Sequence, residues 1–145
     1  MTGTLSQSDY RSLAELRYQI RRYLKFSENA AHRAKMEPRQ HQLLLAIKGL
    51  SPGQRPVIGE LAERMQIQHH STVELVNRLQ SGGFVRRHRS DKDRREVLVA
   101  LTPKGERVLQ QLSLDHGTEL RTQGPILVIA LKHAMRTAAK TGKNK

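Results

Sequence analysis

The sequence of 145 residues has no cysteine, which excludes disulfides, thiolate zinc sites and thiol-based redox sensing. Aromatic residues make up only 3% of it. That scarcity argues against a reader of single-stranded RNA, because such proteins stack unpaired bases on aromatic side chains. Long apolar runs are missing: the longest, Ile126 to Leu131, falls far short of the roughly 20 residues a bilayer span requires. The opening stretch MTGTLSQSDY has neither a basic nor an apolar segment, so no secretory signal is expected. The chain is expected to be cytoplasmic and free of membrane. No nucleophile–base–orienter arrangement, glycine-rich phosphate loop or paired metal-ligand motif occurs, so no enzymatic activity, cofactor or metal is expected. Acidic residues are also few. Thirteen of them face 26 lysines and arginines, for a net charge of +13.

Such an excess favours a polyanionic partner, since each phosphate neutralised releases condensed counterions. Where the charge sits depends on the elements. Leu13, Leu16, Ile20, Leu24, Ser27 and Ala31 recur at helical spacing and predict one helix over about 8–35. Pro38 disfavours a helical residue ahead of it. A second helix over 39–49 follows, carrying Leu43, Leu44 and Ile47, and Ser51-Pro52-Gly53 marks a loop. Ile58, Leu61, Ala62 and Met65 then share a helical face. After a turn at 66–69, a further helix from about His70 to Ser81 turns Val73, Val76 and Leu79 inward. This is the pattern of a helix-turn-helix, closed by Gly82-Gly83.

From there the period changes to two. Residues 84–89 form one strand, Ser90 to Asp93 the turn, and Arg95 to Leu101 the return. A hairpin placed directly after a helix-turn-helix is a wing. Thr102-Pro103 opens another helix, threonine as N-cap and proline at N1. Gly117 is a weak point within it, and Gly124-Pro125 sets off a last helix from Ile126 to about Ala139. A basic tail, 140–145, is expected to be disordered. The expected fold is mainly α with a small β-hairpin wing. It is one domain, 1–140, with a winged core over about 39–102 and terminal helices over about 8–35 and 103–139.

The hairpin tip concentrates six basic side chains, Arg86, Arg87, Arg89, Lys92, Arg94 and Arg95. Arginine at such a tip is drawn into a narrow minor groove by its negative potential. Asp93 is expected to hold the Arg95 guanidinium in one orientation. On the preceding helix His69, His70, Ser71, Thr72, Glu74, Asn77 and Arg78 lie off the apolar stripe and face a partner. Ser71 reads either as a phosphate contact or as a plain helix cap. Glu74 either reads a cytosine amino group or pairs with Arg78.

Asp93-Arg-Arg95-Glu-Val-Leu-Val99-Ala-Leu101-Thr102 matches the wing pattern DxRxxxVxLT position for position. Gly59-Glu-Leu-Ala-Glu-Arg-Met65, Leu75-Val-Asn-Arg-Leu79 and Thr102-Pro-Lys-Gly105 accompany it. In these stretches the chain resembles the multiple-antibiotic-resistance-regulator (MarR) family of winged-helix transcriptional regulators. The resemblance implies a homodimer joined by its terminal helices, which binds a pseudo-palindromic operator in double-stranded DNA. It further implies repression relieved by a small-molecule effector, commonly an aromatic or phenolic acid. Arg78 becomes an expected phosphate contact. Tyr23, Phe26, His32 and His41 become candidates for an effector pocket, although core or dimer packing for the two aromatics, and surface or interface positions for the histidines, stay open.

Overall fold

The computed structural model describes residues 3–143, and side chains as far as Thr137. Its elements are α1 (Gln7–Arg33), α2 (Pro38–Lys48), α3 (Ile58–Met65), α4 (His69–Ser81), β1 (Val85–Arg89), β2 (Val97–Leu101) and α5 (Pro103–Lys143). Mainly helical architecture with a single antiparallel hairpin after a helix-turn-helix is the expected fold class. Among the described residues no helix is long and apolar enough to cross a membrane.

One expectation fails at the C-terminal side. The two helices expected after Thr102 are a single helix, α5, with Pro125 inside it. Proline costs a helix one N–H and crowds the residue ahead of it through that residue's Cβ. Here the residue ahead is Gly124, which has no Cβ. Pro125 and Arg121, whose carbonyl loses its donor, both lie on exposed turns. The helix also runs on through Lys143 rather than ending near Ala139. What remains of the expected disordered tail, residues 144 and 145, lies outside the described residues.

The chain forms two compact units, Ala30–Ser113 and a second made of Met1–Asn29 with Leu114–Lys145. In the winged unit Leu43, Leu44, Leu61, Val76, Leu79, Val85 and Val99 are fully buried. Ala30 and Ala31 at the end of α1, and Leu109 and Leu112 at the start of α5, complete this core. The helices expected to flank the winged core therefore give it their inner ends, because α2, α3, α4 and the hairpin alone leave their apolar faces uncovered.

The hairpin register pairs Val85 with Leu101, Arg87 with Val99 and Arg89 with Val97. Directly opposed residues share a face, so 85, 87 and 89 look one way and Arg86 and His88 the other. The β2 edge is tied to the loop before α3, where the Val99 N–H donates to the Pro56 carbonyl at 2.9 Å. α4 closes on Gly83, whose φ of +79° is readily available only to glycine; the Phe84 N–H then donates to the Leu79 carbonyl.

In the second unit, Ser6 and Asp9 cap α1 reciprocally. The Ser6 N–H donates to Asp9 Oδ2 at 2.9 Å and the Asp9 N–H to Ser6 Oγ at 3.1 Å. Leu13, Ile20 and Leu24 on α1, and Ile126, Ile129, Leu131 and Met135 on α5, stay exposed.

Candidate nucleic-acid interface

Two tight turns position the candidate residues. α3 ends at Gln66, a non-glycine residue in the left-handed region (φ 54°), steadied by its own Nε2 donating to the Glu63 carbonyl at 2.9 Å. The Ile67 N–H bonds back to the Ala62 carbonyl, and α4 starts at His69 with an extended Gln68 as N-cap. Ser71 therefore lies within the first turn of α4 and is not the cap. The free N–H groups of that turn point the same way as the partial positive end of the helix.

His69, His70, Glu74, Asn77 and Arg78 are exposed, and Ser71 is half-buried. Thr72 is not at the surface: it is fully buried, with its hydroxyl donating to the Gln68 carbonyl at 3.0 Å. That bond satisfies the only polar group of the side chain, so threonine packs here as valine would. Thr72, Leu75, Val76 and Leu79 are the buried face of α4, while Val73 is only half-buried. The inward stripe is thus rotated by part of a turn from the expected one.

Arg78 does not pair with Glu74. Its Nη1 lies 3.0 Å from Glu37 Oε2, at the N-cap of α2, with both side chains more than half exposed. An exposed pair of this kind is worth about 0–1 kcal/mol, so phosphate can replace Glu37 at little cost. Arg39, Ser71 and Glu74 line the same small cleft of about 130 Å³. Glu37 and Arg39 were not legible as site residues, because Glu37 meets Arg78 across 41 positions.

At the wing tip, Asp93 Oδ1 accepts the Arg95 backbone N–H at 3.0 Å and lies 3.4 Å from Arg95 Nε. The Arg95 side chain is 94% exposed. One carboxylate thus turns the peptide and leaves the two terminal guanidinium nitrogens directed outward. Arg89 donates to the Arg94 carbonyl at 2.6 Å. Buried Ser90 anchors the loop: its Oγ accepts from Arg55 Nη2 at 3.1 Å and from the Lys92 N–H at 3.2 Å. Arg55 also pairs with Glu96. Arg55, in a loop 35 residues before Ser90, is a supporting residue that no local pattern marked. Arg87 turns inward to Asn77 and Gln80 on α4, whereas Lys92, Asp93 and Arg94 are exposed.

In the other unit Tyr23 and Phe26 border a cavity of about 330 Å³, together with Arg22, Lys25, Glu119 and Leu127. Burial pushes the Tyr23 hydroxyl above the ordinary tyrosine pKa, which keeps it a neutral donor. His32 and His41 do not line this cavity: His32 is exposed and His41 is buried within the winged unit. The histidine beside the two rings is His116, with centroids 5.2 Å from Phe26 and 6.1 Å from Tyr23. Its Nε2 is 2.8 Å from Ser27 Oγ. Ser27 and His116 are 89 positions apart, so sequence spacing gave no sign of the pair.

Residues 35–96, from the end of α1 to the start of β2, match the MarR family model. The winged segment is thus similar to the MarR family. Over 55 residues the chain is 38% identical to the HTH-type transcriptional regulator YsmB and 36% identical to YfiV, both of Bacillus subtilis (strain 168). These matches cover 38% of this chain, and only 38% and 34% of the two relatives. The MarR fold extends further than the matched sequence. AbsC, a MarR family transcriptional regulator from Streptomyces coelicolor, superposes with a TM-score of 0.74 at 17% identity, covering 99% of this chain and 100% of its own. A mutant MarR from E. coli, complexed with operator DNA, gives 0.64 at 20% identity over 84% of this chain and 89% of its own.

Proposed function

We propose that this chain is a sequence-specific double-stranded DNA-binding transcriptional regulator that binds a pseudo-palindromic operator as a homodimer. The observation that carries the reading is Arg95. It is turned outward by Asp93 at the tip of a basic hairpin that directly follows a helix-turn-helix. α4 enters the major groove with His69, His70, Ser71 and Glu74 forward, and Arg78 beside them meets phosphate. Lys92, Arg94 and Arg95 follow the adjacent minor groove. Fluorescence anisotropy of a labelled duplex, competed with RNA of equal length, tests the reading. Displacement by RNA as efficient as by unlabelled duplex would remove it.

Arg95→Ala is expected to weaken specific binding by about 1–3 kcal/mol, the range for a groove contact. Asp93→Ala should cost less, since the arginine stays but loses its tether. The double variant should cost little more than Arg95→Ala alone, because coupled partners are non-additive. Additive costs in that titration would mean that Asp93 does not orient Arg95.

The exposed apolar residues of α1 and α5 support the homodimer, since a monomer rarely leaves so many large apolar side chains in water. Sedimentation equilibrium at micromolar concentration should return twice the chain mass of 16.5 kDa; a monomer there would overturn the dimer. The same reading makes the protein a repressor released by an aromatic or phenolic acid. The cavity at Tyr23 and Phe26 supports it, with two rings for stacking and Arg22 and Lys25 for a carboxylate. Repeating the anisotropy titration with an aromatic carboxylate reads that step, and an unchanged duplex affinity would exclude it.

A further inference from the structure

Arg87 stands on the first wing strand among five other basic residues, yet its chemistry is directed into the protein. The pleat puts it on the face of β1 that carries buried Val85, opposite buried Val99. Its guanidinium accordingly reaches across to α4. Nη2 donates to Asn77 Oδ1 at 2.6 Å, and Nη1 donates to Gln80 Oε1. Asn77 and Gln80 are three residues apart, both exposed, and share one side of the helix.

A guanidinium has five donors and no acceptor. Both amide atoms turned toward Arg87 must therefore be oxygens, and both NH₂ groups face away from it. We infer that Arg87 is a specificity-determining positioning residue, which locks these two amides so that this side of α4 offers hydrogen-bond donors only. Adenine recognition by an amide needs its oxygen to accept from N6 while its nitrogen donates to N7. With the oxygens held, N6 would meet NH₂, donor against donor. Guanine presents two acceptors, N7 and O6, on the same edge. The locked amides thus select guanine and reject adenine. Arg87 spends its charge within the protein and contributes nothing to phosphate binding. The inference rests on the DNA reading above.

Selection of bound sequences from a random duplex library by the full-length protein tests it, with Arg87→Met and Asn77→Asp alongside. The parent should enrich guanine over adenine at one base pair of each half-site by roughly 2- to 10-fold, the worth of one hydrogen bond. Arg87→Met, with no donor, should lose that preference or turn it toward adenine while keeping the salt dependence of the parent. Asn77→Asp keeps the acceptor for Arg87 but has no NH₂, so it should lose the guanine preference and still melt with the parent. This arm stands even if Arg87→Met fails to fold. An unchanged preference in both variants would overturn the inference. So would a fall of about one unit per protomer in the salt slope of Arg87→Met, which would place Arg87 on a phosphate. If the parent enriches no duplex at all, the DNA reading itself fails and takes the inference with it, an outcome visible before any variant is compared.

Discussion

Raising monovalent salt from 50 to 200 mM should weaken duplex binding by about 10³- to 10⁴-fold. The expectation comes from counting which cations remain for phosphate. Arg87 is engaged with Asn77 and Gln80, and Arg55 with Glu96. Arg86 on the outer face of β1 and Lys92, Arg94 and Arg95 at the tip are exposed. With three or four such cations in each protomer, a dimer neutralises roughly six to eight phosphates. The log–log slope is then about −5 to −7. Arg78 adds to it only where phosphate displaces Glu37, so Glu37→Gln should steepen the slope slightly. Binding isotherms at four or more salt concentrations give the number directly. A slope near −2 would mean that the wings do not lie on the DNA backbone.

Gly105→Ala should destabilise the winged unit by about 2–4 kcal/mol, from overpacking together with weakened hydrogen bonds at the junction. A Cβ at this position would stand 2.1 Å from the Phe84 carbonyl oxygen and 3.1 Å from its carbon. Both are backbone atoms and cannot swing away. The approach is close because the start of α5 docks on the end of α4 through several bonds. The Thr102 N–H donates to the Phe84 carbonyl at 3.0 Å and Thr102 Oγ1 to the Gly83 carbonyl at 2.6 Å. Lys104 Nζ reaches the Gly82 carbonyl at 2.7 Å. A methyl group at 105 must push these segments apart. The thermal midpoint should fall by roughly 10 °C or more. Gly59→Ala is the control: its Cβ would meet nothing within 4 Å, and alanine favours a helix over glycine by about 1 kcal/mol. Gly59→Ala should therefore melt at or above the parent. Equal midpoints for the parent and Gly105→Ala would show that the α4–α5 junction is loose.

The element order was legible because each element carries a local signal. The period of three to four in α1 to α4, the change to two at Phe84, and Thr102-Pro103 as a helix start all act within a few residues. The basic tip and the Asp93–Arg95 geometry were legible for the same reason, as the two residues lie two apart. Local signals misled where a short-range rule had a way round it. Pro125 failed to break α5 because Gly124 lessens the crowding ahead of the ring and the carbonyl left without a donor, that of Arg121, lies on an exposed turn. Thr72 failed to be a surface residue because its hydroxyl finds the Gln68 carbonyl one turn back.

The sequence by itself determined the winged helix-turn-helix order, the excess of positive charge and its concentration at the wing. These depend on periodicity, capping and composition, which are properties of neighbouring residues. Only the tertiary structure decided which of those charges remain available. Glu37 with Arg78, Arg55 with Glu96 and Ser90, Arg87 with Asn77 and Gln80, and His116 with Phe26 are pairs set by how helices and hairpin pack. A guanidinium or imidazole finds its partner wherever the fold brings a complementary atom within about 3 Å. Separation along the chain carries no information about that distance.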